Sequence, residues 1–182
     1  MSVTRIFLGS SEELRDDRVA LGDFMGRLSD AYVGRGTRFS LVKWEHESIA
    51  VARHAGGKQA EYDDLVRGCD LALFLFHRRC GEYTLEELEV ALEARSEGTG
   101  CSRVLVWLRA LAPGERETPE LERFRERMDA GELGVAYRRY ADVREVEMDL
   151  LDELAAFGAT MEPRRVDGWV CVGDEALVDL GA

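Results

Sequence analysis

Short apolar runs alternate along this chain with stretches in which apolar side chains recur every three or four residues. Arg5–Leu8 (RIFL) reads as a buried strand ending at Gly9-Ser10-Ser11, and Leu14, Val19, Leu21, Phe24, Met25 and Leu28 follow at near-helical spacing. Gly34-Arg35-Gly36 breaks that helix, and Arg38–Trp44 (RFSLVKW) predicts a second strand. The polar stretch Glu45–Lys58 is long for a connector, and long connectors in compact domains are often functional loops. Gln59–Gly68 predicts a short helix carrying Tyr62, Leu65 and Val66. Leu71–Phe76 is apolar throughout, as a central parallel strand covered on both faces should be. A helix at Thr84–Arg95, a strand at Arg103–Leu108 (RVLVWL) and a loop at Ala112–Thr118 come next. Pro119 suits the first position of a helix running to about Met128, with Thr118 as its cap. Val135–Tyr140 predicts a fifth strand and Val143–Phe157 an amphipathic last helix.

Strands alternating with helices predict an α/β fold, a mostly parallel sheet joined by right-handed crossovers. The tail after Gly158 leaves that alternation: Trp169–Val172, a Gly173-Asp174 turn and Ala176–Leu180 predict a small hairpin. It reads as an edge extension or as the lead-in to a downstream domain. The expected organisation is therefore a domain over residues 1–160 and an extension over 161–182.

With 182 residues the chain can bury one full core. The net charge of −12 repels phosphate backbones, which argues against nucleic acid as a partner. No apolar run approaches the roughly 20 residues of a membrane span, and no signal-peptide pattern opens the chain. Cys69, Cys80, Cys101 and Cys171 show neither paired metal-ligand spacing nor the density of a disulfide scaffold. These features predict a reduced, cytoplasmic setting.

In an open α/β sheet, ligands bind beyond the carboxyl ends of the strands. The segment from Leu71 to Ala94 passes from a strand through a polar loop into a helix that carries Glu87 near its start. Thr84-Leu85-Glu86-Glu87 has the spacing of a capping box, which by itself accounts for a Glu there. The other reading is catalytic. Leu85, Leu88, Ala91 and Leu92 define an expected buried stripe, Glu86 points away from it, and Glu87 lies at its border, where a partly desolvated carboxylate has a raised pKa. Ser10 and Ser11 similarly open a second possible capping box, Ser10-Ser11-Glu12-Glu13, or an anion site at a helix start that faces Glu87 across one cleft. Trp44 and Tyr83 are placed to stack on a base or nicotinamide ring, or to pack their own loops. Arg78 and Arg79 offset a ligand's negative charge or are solvated surface groups.

Other signals fail. His77 and Cys80 share a loop without a separate orienting group for a Cys/His pair. Glu86 stands where a phosphatase loop beginning at Cys80 needs arginine. Gly56-Gly57-Lys58 lacks the P-loop spacing, and His46 and His54 lack metal-ligand spacing, so no metal site is expected.

The segments IFLGSSEEL, LVKWE, QAEYDDLVRGCDLALFLF and GEYTLEELEVAL, in that order, resemble bacterial TIR (Toll/interleukin receptor-like) domains of the kind that open antiviral defence proteins. The resemblance covers about residues 4–157. It implies a flavodoxin-like open five-stranded parallel sheet of order 2-1-3-4-5 with helices on both faces. It also implies NAD+ cleavage with release of nicotinamide, NAD+ being a substrate with no cofactor required. In several relatives the helix after the third strand opens with an aromatic-cysteine pair, two variable residues, then the glutamate and a leucine. Tyr83-Thr84-Leu85-Glu86-Glu87-Leu88 occupies that pattern, with Tyr and Thr replacing the aromatic-cysteine pair, so the resemblance implies that Glu87 is the catalytic residue. Glu45–Lys58 corresponds to the loop through which such domains self-associate, and a downstream domain or regulatory partner is implied. A nucleoside deoxyribosyltransferase-like enzyme and a non-catalytic TIR adaptor are the competing expectations.

Overall fold

The computed structural model describes residues 1–43, 64–155 and 161–181. Trp44, the Glu45–Lys58 loop, the start of the helix expected at Gln59–Gly68 and the end of the one expected at Val143–Phe157 lie outside the described residues. The elements are β1 (Ser2–Ser10), a single 3₁₀ turn (Glu12–Leu14), α1 (Arg15–Val33), β2 (Thr37–Lys43), β3 (Leu71–Phe76), α2 (Glu82–Glu97) and β4 (Arg103–Arg109). Then come α3 (Pro119–Asp129), β5 (Tyr137–Tyr140), α4 (Val143–Ala155), β6 (Arg164–Val166), β7 (Trp169–Val172) and β8 (Glu175–Asp179). The first five strands form one sheet in the order β2-β1-β3-β4-β5. This is the expected α/β arrangement. β3 pairs in parallel with β1 (Ile6 opposite Leu71, Gly9 opposite Phe74, Ser10 opposite Leu75) and with β4 (Leu71 opposite Arg103, Phe76 opposite Leu108).

Two compact units divide the chain, one of residues 5–15 and 42–139, the other of residues 1–4, 16–41 and 140–182. In the first, β3 is buried at every position because its two faces are both covered. The face carrying Phe7, Ala72, Phe74, Phe76, Val104, Val106 and Leu108 packs with Leu88, Ala91 and Ala94 of α2 and with Leu121, Phe124 and Met128 of α3. Phe76 and Phe124 meet at 5.2 Å between ring centroids, a tilted aromatic contact across that layer. Thr118 caps α3 as expected: its hydroxyl accepts the Leu121 N–H at 3.4 Å, and Pro119 occupies the first turn.

In the second unit, buried apolar side chains come from α1 (Leu21, Phe24, Met25, Leu28), α4 (Val146, Leu150, Leu151, Leu154) and the tail (Val170, Val172, Leu177, Val178). The expected hairpin is present as β7 and β8, and β6 adds a third antiparallel strand to it, the three forming a sheet of their own rather than an edge extension of the main one. Asp167 (φ 48°) and Gly168 (φ 82°) turn β6 into β7 with two consecutive left-handed residues, the backbone a tight hairpin needs. Two arginines hold β8. Arg27 of α1 donates to the Leu177 carbonyl at 2.8 Å, and Arg144 of α4 donates to the Asp179 carbonyl at 3.0 Å.

Candidate active site

The helix carrying Glu87 begins earlier than its capping signal suggests. Its first residue is Glu82, and the N-cap is Gly81, extended at φ −70° and ψ 135°, with no side-chain cap bond. Thr84 is therefore the third helical residue and Glu87 the sixth. A residue in that position has its N–H already inside the helical ladder and cannot reach back to close a capping box. Thr84 turns inward instead; a methyl group on Gly81 would lie 3.0 Å from its Oγ1.

The buried stripe also differs from the expected one. The buried positions of α2 are Thr84, Glu87, Leu88, Ala91 and Ala94, at helical spacing, while Leu85 and Leu92 are half-buried and Glu86 and Glu89 exposed. Glu87 sits within the stripe rather than at its border, and is 3% exposed. A carboxylate withdrawn from water this far is held against a large desolvation cost.

Gly9, the penultimate residue of β1, makes the room. A methyl group there would lie 2.7 and 2.8 Å from the Phe74 ring and 3.0 Å from Glu87 Oε2. The end of β1 is thus notched where the aromatic ring of β3 and the carboxylate of α2 both press against it. Side chains alternate along a strand, and Gly9 shares the face of Phe7 and α2; Ser10 therefore points to the opposite face. Ser10 and Glu87 do not face one cleft.

A second cluster lies at the same ends of β1 and β3. Glu13, whose side chain is 8% exposed, accepts four hydrogen bonds. Its Oε1 takes the Arg78 N–H at 2.9 Å, the Arg79 N–H at 3.2 Å and the Ser11 hydroxyl at 3.3 Å. Its Oε2 takes the Arg78 guanidinium at 3.1 Å. Burial pushes the Glu13 carboxyl up, but the two backbone N–H groups, the guanidinium and the neighbouring His77 outweigh it and hold the group below its ordinary value. His77 lies between two carboxylates, Nδ1 3.9 Å from Glu13 Oε2 and Nε2 3.2 Å from Glu115 Oε2. Glu115 is also lowered, first by the Ala112 N–H that it accepts at 2.8 Å. The Thr118 N–H donates to the Arg78 carbonyl at 2.7 Å, so loops following β1, β3 and β4 are tied together.

The other expected site residues fall differently. Ser11 is the N-cap of the 3₁₀ turn, but its hydroxyl makes no cap bond and goes to Glu13. Arg78 donates to Glu13 and approaches Glu115 at 3.7 Å, with its side chain about half exposed. Tyr83, in the first turn of α2, is 54% exposed. Trp44 lies outside the described residues. No group of His, Cys, Asp and Glu suited to a metal ion occurs among the described residues. Burial pushes the Cys69 and Cys80 thiols up to about 12 and that of Cys101 to about 11, away from the thiolate a nucleophile needs.

Gly9, Glu13 and Glu115 escape a reading by motif. Gly9 had a signal, a glycine closing an apolar strand, which marks a close approach of other atoms. Glu13 had only a local one, its place in a capping box, whereas its partners lie 65 and 66 residues away.

No helix among the described residues is long and apolar enough to cross a membrane. No family model and no curated protein matches the chain. Among solved structures, the CMP N-glycosidase BcmB of Clostridium botulinum is similar over 81% of this chain and 98% of its own, at 14% identity and a TM-score of 0.43. A likeness that distant carries no argument about activity.

Proposed function

We propose that this protein hydrolyses the N-glycosidic bond of NAD+, releasing nicotinamide, with Glu87 as the catalytic carboxylate. One observation carries the reading: Glu87 is buried within the helix after β3, too far from the helix start to act as a cap, beside a β1 end notched by Gly9. The TIR-like order of motifs supports the same residue and the same substrate. In this reaction the ribosyl–nicotinamide bond breaks with its electron pair going to the nicotinamide nitrogen, which leaves neutral. Water adds to the anomeric carbon and gives up a proton, yielding ADP-ribose. The transition state resembles an oxocarbenium ion, as in glycoside cleavage. A carboxylate preorganised in a low-dielectric site stabilises that charge far more than one in water. No acid strong enough to protonate the leaving group is needed.

Self-association belongs to the same proposal. Substrate reaches a carboxylate that is 3% exposed only when the surrounding elements part, and neighbouring copies can hold them in that state. The isolated chain should therefore be weakly active, and turnover per molecule should rise on clustering. The test is nicotinamide release by chromatography across a dilution series and after fusion to an oligomeriser. Deoxynucleosides with a free acceptor base, and CMP, are run beside NAD+. Transfer between deoxynucleosides without nicotinamide release would replace this reading by a transferase. Activity that stays high and constant on dilution would remove the assembly step.

A further inference from the structure

We propose that Glu13 is a positioning residue for Glu87, the end of β1 acting at two points on the segment that carries it. The inference rests on Glu87 acting in the reaction above. Gly9 leaves the space that Glu87 Oε2 approaches, and Glu13, four residues on, grips the backbone of the loop that launches α2. Arg78 and Arg79 follow the last residue of β3 closely and precede the N-cap Gly81 by three and two residues. α2 has no side-chain cap of its own. Its first turn is therefore placed by whatever fixes residues 78 and 79. Two contacts do so: the paired N–H groups on Glu13, and the Arg78 carbonyl on the Thr118 N–H at 2.7 Å.

Glu13 is itself well anchored. The next residue, Leu14, is fully buried and donates its N–H to the Ser11 carbonyl at 3.1 Å. An exposed ion pair between flexible side chains would fix little. A largely desolvated carboxylate holding two consecutive backbone amides fixes two peptide planes, and charge-assisted bonds of this kind are the stronger class. His77 and Glu115 extend the grip to the loop before α3. The separation of 65 residues between Glu13 and Arg78 means the contact forms only once β1 and β3 are paired, so it links the assembled carboxyl ends of these strands to α2.

The test is Glu13→Gln. Glutamine keeps the size, but its amide –NH2 faces donors, so at least one of the four bonds is lost. Hydrogen exchange of the amides of Arg78, Arg79 and Leu85–Leu88 is followed by NMR, with Val146–Leu154 of α4 as the internal control. Protection at Arg78 and Arg79 should fall about tenfold or more, and the fall should extend to Leu85–Leu88 but not to α4. In nicotinamide release, kcat should fall by roughly 10- to 100-fold, the cost of a misplacement of about 1 Å, with KM within about twofold. Adding Glu13→Gln to Glu87→Gln should change the residual rate little, since both act through one carboxylate. If Glu13→Gln does not fold, Glu13→Asp, which keeps the charge but falls short of the amides, should show the same pattern at smaller size. Exchange effects confined to residues 78 and 79, or an unchanged kcat, would overturn the proposal. So would increased turnover, which would mean that Glu13 competes with substrate for those amides. Should wild type cleave no N-glycosidic bond, the catalytic reading falls by itself, and the exchange arm still decides whether Glu13 places α2.

Discussion

Glu13 and Glu147 are carboxylates with side chains almost out of water, in separate units of the chain, and they titrate in opposite directions. Glu13 is held below its ordinary value. Glu147, 4% exposed on α4, is pushed up to about 7 by burial, with Arg27 and Arg144 pulling down and Asp142 pushing up. Burial is the largest influence on both. The difference lies in donors: Glu13 receives four hydrogen bonds, two of them from backbone N–H groups, whereas Arg27 spends its Nη2 on the Leu177 carbonyl and keeps a buried Nε without a hydrogen bond among the described residues. A desolvated carboxylate is therefore a fastener where fixed donors surround it and a proton acceptor where they do not. Glu87 is a third such group, and the proposed reaction asks it to hold charge for a substrate rather than for the fold.

The largest expected effect tests that third role. Glu87→Gln should lower nicotinamide release by on the order of 100-fold or more while the circular dichroism spectrum stays that of wild type. Glu86→Gln, one residue away and exposed, should leave the rate unchanged. Wild-type turnover in Glu87→Gln would make Glu87 a buried structural group like Glu147.

The two carboxylates predict opposite pH limbs of stability. Glu147 has a folded-state pKa raised from 4.5 to about 7, so the folded state binds the proton more tightly. Its contribution is complete below about pH 4.5 and is lost as pH rises through about 7. At about 1.4 kcal/mol per unit the loss amounts to about 3 kcal/mol. Glu13 has a lowered folded-state pKa, so its contribution is present above 4.5 and is lost as pH falls below that. Urea unfolding from about pH 2 to 8 should show the neutral limb flattened in Glu147→Gln and the acid limb flattened in Glu13→Gln. A Glu147→Gln variant that retains the full neutral slope would assign that slope elsewhere.

Gly9→Ala presses on the site sterically. The added methyl group would meet the Phe74 ring at 2.7 Å and Glu87 Oε2 at 3.0 Å, so one of them must move. Overpacking of this kind costs about 1–3 kcal/mol. Turnover should fall along with stability. A variant as stable and active as wild type would show that the notch at Gly9 is not needed.

These experiments bear on what was legible in the residues themselves. The sheet was: RIFL, LALFLF and RVLVWL are apolar runs whose alternation with helical periodicity needs no distant information, and the order β2-β1-β3-β4-β5 agrees with them. Local bonding misled at the start of α2. Thr84 has the composition of a cap, but its side chain is buried and the cap is Gly81, three residues earlier, so the burial of Thr84 and Glu87 depends on tertiary packing. Strand β6 (RRV) is exposed throughout and carries no apolar signal; the Asp167-Gly168 pair, a strong hairpin mark, was the available clue. The pairing of Glu13 with Arg78 and Arg79 could not be read at all, because capping spacing accounts for Glu13 locally and nothing near it names a partner 65 residues on.

The smallest expected effect separates Ser11 from the group it serves. The Ser11 hydroxyl donates to Glu13 Oε1 at 3.3 Å, a long bond, to an oxygen that already accepts the Arg78 and Arg79 N–H groups at 2.9 and 3.2 Å. Ser11→Ala therefore leaves that oxygen satisfied, and the loss should be about 0.5–1 kcal/mol, below the usual worth of a bond to a charged group because this one is long, and without the penalty of an orphaned acceptor. The usual loss of a cap is not added to it, because the Ser11 hydroxyl makes no cap bond. Urea unfolding at pH 7 measures the loss, and nicotinamide release should stay within about twofold of wild type, about 0.4 kcal/mol at this temperature. A loss above about 2 kcal/mol, in the range of a broken buried network, would mean that Glu13 depends on the hydroxyl as well as on the backbone amides. The contrast between Glu13 and Glu147 would then rest on side-chain donors as much as on peptide ones.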